Sequence, residues 1–199
     1  MNEDDLVLGD ENSQEEDYEQ EFVEPVNNTF LIFGPITDEV CGSACAWILA
    51  MNQLDEEQRP EELVIMINSV GGDLHSAFAL IECMRGSMIP VATVGVGQIV
   101  SAGLMIFAAG HKGMRTITPT CSAMIHTYST EIGGNHHAII NIIKELKWTN
   151  KRLIDFFHET TGLKVPTIKS KLLGKQDHYM PPEEVVKLGI ADRIARIGQ

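Results

Sequence analysis

Three turns of the sequence carry residues that could do chemistry. The segment Gly97-Gln-Ile-Val-Ser-Ala-Gly103 presents Ser101 at the start of a predicted helix, where the helix dipole favours a developing alkoxide. A serine there is also a common N-cap. His126 ends an apolar run and could act as a general base or be a structural histidine. The glycine pair of residues 68–72 would let backbone amides face an oxyanion or another anion, although strand-to-helix turns also use glycine for steric reasons.

These turns lack the sequence motifs of two common functional sites. No Gly-Lys-Ser/Thr follows the glycine pair, so residues 68–72 are not a phosphate loop of the Walker type. The serine does not have the Gly-x-Ser-x-Gly spacing of the α/β-hydrolases. If Ser101 is a nucleophile, it therefore belongs to another kind of scaffold.

The cysteines give no framework for disulfides or a metal. One pair lies a helical turn apart, but no second pair of ligands accompanies it, so we expect no metal site. No positively charged, apolar leader is visible, and we expect a reducing compartment, the cytoplasm, with an organelle or an infected host cell left open. The four cysteines are Cys41, Cys45, Cys83 and Cys121.

The charge of the chain is concentrated at its start. The 199 residues carry a formal charge of −13, and residues 1–28 hold 11 of the 28 acidic residues and no Lys or Arg. We expect residues 1–28 to form a disordered acidic arm and residues 29–199 to form one domain. Neither part has the basic face that nucleic acid requires, so we expect no nucleic acid partner.

Strand and helix patterns alternate along the domain. Apolar runs over residues 30–33, 63–67 and 91–96 read as buried strands, and an amphipathic helical pattern follows each of them. Residues 97–100 are predicted to form the turn before the third helix. Two more strand-like runs follow, at residues 114–118 and 123–128. This order predicts an α/β fold with a mainly parallel sheet.

Two longer segments need separate interpretation. Residues 86–110 contain no charge, but glycines and polar residues interrupt them, so they read as strand, turn and helix, and we expect no membrane span. Residues 135–159 have a helical pattern with apolar residues on more than one stripe. Such a helix often packs against a partner subunit as well as its own core, which predicts an oligomer.

The turns together resemble those of a known family. From about residue 30 to residue 197 the chain is similar to the proteolytic subunit of the ATP-dependent Clp protease, ClpP. The resemblance implies a ClpP/crotonase-like spiral of β-β-α units, with the long helix protruding as a handle. Besides the glycine that opens the long helix, the matching segments are Ile67-Asn-Ser-Val-Gly-Gly72, Gly97-Gln-Ile-Val-Ser-Ala-Gly103, Met124-Ile-His126, and Asp177-x-x-Met-x-x-x-Glu184 leading to Leu188-Gly-Ile-Ala-Asp192.

The resemblance also implies roles for particular residues in a serine endopeptidase. Ser101 would be the nucleophile, His126 the general base and Asp177 the acid that orients the histidine. The amides of Gly72 and Ala102 would form the oxyanion hole. No cofactor or metal is implied. The residues that would pair with an extended substrate peptide are Asp73, Leu74, Thr127 and Tyr128.

The family likeness implies an assembly as well. We expect a homo-oligomer of heptameric rings, possibly two stacked as a tetradecamer, that degrades unfolded polypeptides inside its chamber and is served by an AAA+ unfoldase. Valine and methionine replace aromatic residues that are common in the family's pocket for ATPase loops, at Val64 and Met66, and Gly86 replaces another bulky residue. Val70 and Tyr128 replace family prolines near the substrate groove. Because of the replacements at Val64, Met66 and Gly86, the pocket that would dock the ATPase loops is divergent in this chain.

Two alternative functions remain open at this stage. The divergent pocket would suit a noncatalytic or weakly active subunit that joins a related ClpP as a hetero-oligomer and changes its ATPase docking. A crotonase-like enzyme acting on acyl-CoA would share the fold and also uses paired backbone amides. Neither alternative needs serine, histidine and aspartate together, so the peptidase is favoured.

Overall fold

The computed structural model of the protein describes residues 25–127 and 134–198. The acidic segment 1–24 and the predicted substrate residue Tyr128 lie outside the described residues. Within the described ranges, no helix is long and apolar enough to cross a membrane.

A seven-stranded sheet forms the centre of the fold. Neighbouring strands are parallel in the order β1-β2-β3-β4-β7, while β5 runs parallel to the second half of β3 and β6 is antiparallel to β5. The predicted α/β class with a mainly parallel sheet is confirmed. The strands are β1 (Thr29–Phe33), β2 (Leu63–Ser69), β3 (Val91–Val100), β4 (Arg115–Ile117), β5 (Ser122–Ile125), β6 (His178–Met180) and β7 (Arg193–Ile194).

Helices connect all successive strands except β4 and β5, and polar side chains cap the starts of three of them. Side chains of Thr37, Asp73 and Asn135 each accept a hydrogen bond from a backbone N–H in the first turn of the helix that follows. The long helix ends at Gly162, whose φ of 73° is a left-handed conformation that glycine adopts readily. The helices are α1 (Asp38–Asn52), α2 (Leu74–Gly86), α3 (Ala102–Ala108), α4 (His136–Thr161) and α5 (Pro182–Lys187), with short helical segments at Val165–Thr167 and Ile168–Leu172.

One continuous apolar core joins the sheet to these helices. Alternate residues of β1 and β2 are buried, and every residue of α3 is buried. The second half of α4 packs on the core through Leu153, Ile154, Phe156 and Phe157, whereas its first half is largely exposed. The site-bearing loops therefore project from a rigid scaffold.

The third strand is longer than the sequence predicts. Residues 97–100 are predicted as a turn, and that prediction is wrong, because β3 continues to Val100. Gln98 to Val100 pair in parallel with Ser122 to Met124 of β5, so these backbone groups are used in the sheet. Gly97 has a φ of 60°, and the register of β3 with β2 shifts between Gly95 and Ile99.

Candidate active site

Ser101 stands at a sharp corner between β3 and α3. Its backbone has φ 53° and ψ −118°, an unusual conformation for a residue with a side chain, which costs on the order of 1–3 kcal/mol. The buried helix α3 on one side and a hydrogen bond from its own N–H to the Met124 carbonyl (2.9 Å) on the other hold it there. The corner directs the side chain toward a surface cavity, whose lining includes Ser101.

The imidazole of His126 contacts this serine directly. The Ser101 Oγ and the His126 Nε2 are 2.9 Å apart, the distance of a good hydrogen bond. The parallel pairing of Val100 with Met124 explains the contact, since both residues lie just past that pair at the same edge of the sheet. A serine hydroxyl in this contact can lose its proton to the ring as it attacks a carbonyl.

Asp177 lies on the far side of the same histidine. In the antiparallel pairing of β5 and β6, Ile125 is opposite His178, so the next pair outward brings His126 opposite Asp177. The Nδ1 of His126 and the Oδ1 of Asp177 are 3.7 Å apart, which is close enough for ionic attraction but longer than a hydrogen bond. The Asp177 side chain is 55% exposed.

The glycine pair lies against the serine corner. A Cβ on Gly71 would come within 2.9 Å of the Ser101 Cβ, and one on Gly72 would come within 2.3 Å of the Ile36 carbonyl oxygen. Both glycines have positive φ, 92° and 151°. Only glycine allows this turn to approach both neighbours so closely.

Two backbone amides near Ser101 are available to a ligand. Among the described residues, neither the N–H of Gly72 nor that of Ala102 donates to a protein group. Ala102 is the first residue of α3, where the helix leaves its amides unpaired. The loop after β1 holds the other side of the turn, because Ile36 N donates to the Gly71 carbonyl and Asp73 N donates to the Ile36 carbonyl. No pattern in the sequence indicates this role of Ile36.

A cavity of about 570 Å³ opens beside the serine. The predicted substrate residues Asp73 and Leu74 line it, whereas Thr127 does not and instead donates from its hydroxyl to the Gly174 carbonyl. Four residues of α4 close the cavity, and sequence analysis missed all four. They are Ile142, Glu145, Leu146 and Thr149.

The charged groups around the cavity have defined partners. The backbone N–H and the hydroxyl of Ser76 both donate hydrogen bonds to Asp73. These bonds, chiefly the one from the N–H, hold the pKa of the Asp73 carboxyl below its ordinary value. Glu145 accepts hydrogen bonds at Oε1 from the Thr149 hydroxyl and from the Arg152 guanidinium. Both carboxylates are therefore held by their partners at the cavity wall.

Three of the four cysteines are poor nucleophiles at neutral pH. Burial is the main cause that raises the pKa of Cys41, Cys45 and Cys121 to about 12, so these thiols stay protonated at neutral pH. Within residues 25–127 and 134–198, no group of three or more His, Cys, Asp or Glu side chains comes together in a way that could hold a metal ion.

Comparison with known proteins gives the class of enzyme. The sequence profile described as "Clp protease" matches residues 14–197. A protein of Deinococcus radiodurans named "ATP-dependent Clp protease proteolytic subunit" is 32% identical over 162 residues, which cover 80% of this chain and 76% of the relative. With the α/β fold and the serine-histidine contact, these matches define a serine endopeptidase.

The chain belongs to the Clp protease family. Its fold is accordingly the ClpP/crotonase-like fold that the sequence predicts, and its activity is that of a Clp-type serine endopeptidase. The matches do not favour the noncatalytic subunit or the acyl-CoA enzyme.

Proposed function

We propose that Ser101, His126 and Asp177 are the nucleophile, general base and orienting acid of this endopeptidase. The observation that carries the proposal is the 2.9 Å contact between the Ser101 Oγ and the His126 Nε2 at the edge of the cavity. The N–H groups of Gly72 and Ala102 are proposed as the oxyanion hole. Alanine substitution of Ser101, described in the Discussion, tests the assignment.

The proposed reaction has two halves. The Ser101 Oγ attacks the peptide carbonyl carbon as its proton passes to His126, and the resulting oxyanion accepts hydrogen bonds from Gly72 and Ala102. The intermediate collapses to an acyl-enzyme, and the departing amine takes the proton from His126. Water then attacks the ester with His126 as base, which releases the acid product and restores the serine. Each oxyanion donor is expected to lower the barrier by about 3 kcal/mol.

The proposed substrate is an extended segment of an unfolded polypeptide. Asp73 and Leu74 on one side, and Thr127 and Tyr128 on the other, are proposed to pair with its main chain as an added strand. Main-chain pairing tolerates many sequences, while the cavity beside Ser101 receives one side chain. Leu74 among the cavity residues supports the first half of this groove.

Asp177→Asn is expected to lower kcat by about 10²-fold and to change KM little, because the carboxylate orients His126 and does not touch the substrate. The loss should be smaller than in enzymes with a buried acid, since Asp177 is half exposed and 3.7 Å from the ring. Steady-state cleavage of a fluorogenic peptide measures both constants. Asp155→Asn, which changes an exposed carboxylate on α4, is the control. An unchanged kcat would exclude Asp177 as the orienting acid.

We propose an assembly of heptameric rings, two of them stacked as a tetradecamer, in the cytoplasm. Part of the exposed half of α4 is apolar: Ile140 is 38% exposed and Ile143 is 41% exposed. A partner subunit would cover these side chains.

The rings are proposed to receive polypeptides from an AAA+ unfoldase, and subunits of a related ClpP could take places in the same rings. Val64 and Met66 are half-buried on β2, in keeping with a divergent pocket for the ATPase.

Ile143→Glu is expected to shift the protein from the ring assembly to smaller species, because it introduces a charge into a surface that the partner would bury. Mass measurement in solution at micromolar concentration checks this. Met88→Glu, which changes another exposed apolar residue, is the control. A wild-type protein that is strictly monomeric under these conditions would contradict the proposed assembly.

The acidic arm is proposed to act at the entrance of the chamber. Its charge would repel acidic peptides and attract basic ones, with an effect that salt weakens.

The folded domain is proposed to begin a few residues before residue 29, since Val26 and Thr29 form a backbone bridge and the Asn28 carbonyl accepts a hydrogen bond from Val64 N. The family profile begins still earlier, at residue 14.

A further inference from the structure

The loop that carries Asp177 is held by contacts of a few side chains. It joins the helical segment that ends at Leu172 to the three-residue strand β6, and Asp177 is the last residue before that strand. One support is the hydroxyl of Thr127, which donates to the Gly174 carbonyl at 2.8 Å. Because Asp177 is half exposed, its own packing does little to hold it near His126.

The side chain of His178 supplies a second support, on the residue next to Asp177. Its Nδ1 lies 2.6 Å from the Lys171 carbonyl oxygen, and its Nε2 lies 3.2 Å from Oε1 of Glu184. A carbonyl oxygen only accepts hydrogen bonds, so the Nδ1 is the donor to Lys171, while the Nε2 lies within ion-pair distance of the Glu184 carboxylate. Lys171 precedes the loop and Glu184 lies in α5 beyond it. One ring therefore joins the segments on either side of the loop.

This connection bears on the geometry of the active site. His178 is opposite Ile125 in the last pair of β5 and β6, and Asp177 and His126 are the residues that follow this pair on the two chains. A shift of His178 along or away from β5 would move Asp177 relative to the His126 ring. That separation is already 3.7 Å, so even a small further displacement would weaken the attraction. A misplacement of about 1 Å can cost on the order of 10²-fold in rate.

We propose that His178 is a positioning residue for peptide hydrolysis, which ties Lys171 to Glu184 and thereby holds Asp177 beside His126. The inference rests on the proposed function, in which Asp177 orients His126. The other charged side chain that lines the open cavity around His178, besides Lys171, Asp177 and Glu184, is Lys175. The loop therefore combines cationic and anionic groups, and the ring of His178 links its two ends.

His178→Ala is expected to lower kcat for a short peptide by about 10-fold and to leave KM within about twofold, because orientation of His126 is lost while the substrate cavity is unchanged. Glu184→Gln keeps an acceptor oxygen and should lose less than Glu184→Ala. The matched control is His158→Ala. It also removes a ring Nδ1 contact to a backbone carbonyl, that of Leu163 at 2.8 Å, but at the end of α4.

A double-mutant comparison separates positioning from general damage to the fold. In an Asp177→Asn background, His178→Ala should cause no further loss of kcat, since there is no carboxylate left to position. An equal loss in both backgrounds, or no loss in the wild-type background, would overturn the proposal. If His178→Ala fails to fold, Glu184→Ala and Glu184→Gln carry the same comparison.

The outcome is distinguishable from a failure of the proposed function. If Ser101→Ala remains active, the catalytic assignment itself is wrong. If Ser101→Ala is inactive and Asp177→Asn is impaired while His178→Ala matches the wild type, only the positioning role of His178 is excluded.

Discussion

Ser101→Ala is expected to lower kcat for a short peptide by about 10⁶-fold, to the limit of detection. The substitution removes the oxygen that contacts the His126 Nε2 at 2.9 Å and leaves no group that could form the acyl-enzyme. Alanine is smaller than serine and meets the same backbone strain at φ 53°, so the fold should be retained. Steady-state hydrolysis of a fluorogenic peptide, together with an unfolding curve, checks both statements.

Ser122→Ala is the matched control for this experiment. Ser122 is an exposed serine at the start of β5, where its contribution to the sheet is made by the backbone. Its loss should leave kcat unchanged. If Ser101→Ala kept a rate comparable with that of Ser122→Ala, Ser101 would not be the nucleophile.

Asp192→Ala is expected to lower the free energy of unfolding by about 3–5 kcal/mol. This is the largest effect on stability that we expect from any of the substitutions described. Arg115 is 2% exposed, and Asp192 is its partner: the guanidinium donates to both carboxylate oxygens, at 2.9 and 2.7 Å. The same carboxylate accepts the N–H of Gly113 and that of Arg115. Alanine would leave a buried cation without its counterion. Urea unfolding at pH 7 measures the difference.

The exposed Lys151–Asp155 pair on α4 provides the control for this ion pair. Asp155→Ala should cost less than about 1 kcal/mol, because an exposed pair is well solvated. A loss for Asp192→Ala that is no larger than this would mean that Arg115 and Asp192 do not stabilise the fold. Peptide hydrolysis by the folded fraction should be unaffected by either variant.

The effect of Asp192→Ala should also depend on pH in a defined direction. Burial disfavours the charged form of Asp192, but hydrogen bonds and the charge of Arg115 outweigh it, so the pKa lies below its usual range. A carboxyl with a lowered pKa in the folded state contributes its full stability above the unfolded pKa of about 4. The difference between wild type and Asp192→Ala should therefore shrink as the pH falls below that value.

Local signals in the sequence mark both Ser101 and His126 as candidates, and the structure places the two side chains in contact. Ser101 follows a strand pattern and precedes a helix pattern, and His126 ends another strand pattern. The parallel pairing of those strands brings the two residues to one edge of the sheet. The alternation of strands and helices predicts a mainly parallel sheet. It does not predict this particular pairing, because residues 97–100 are predicted as a turn and no helix separates β4 from β5.

Asp177 is harder to place because its position depends on a pairing without a sequence pattern. The strand β6 has three residues, His178 to Met180, which show no apolar alternation. Only its antiparallel register with β5 brings Asp177 opposite His126. Resemblance to the family, and not the local sequence, singled out this aspartate.

The walls of the cavity could not be predicted for a related reason. Glu145 and Thr149 lie on α4, and nothing in their spacing tells which part of the fold this helix covers. The contact of Ile36 with the glycine turn is likewise made by the backbone and leaves no trace in the side-chain pattern. The prediction for residues 97–100 is wrong because glycine usually signals a turn, whereas Gly97 lies within a continuing strand.

Covalent labelling of the wild-type protein with a fluorophosphonate tests the central claim most directly. The serine oxygen attacks the phosphorus as a neighbouring base takes its proton, and the P–F bond breaks to release fluoride, so labelling needs no peptide substrate. We expect one label per chain at Ser101 by mass spectrometry of the digested protein, much slower labelling of His126→Ala, and none of Ser101→Ala. No label on the wild-type protein, or a label on another serine that persists in Ser101→Ala, would contradict the assignment of Ser101 as the nucleophile.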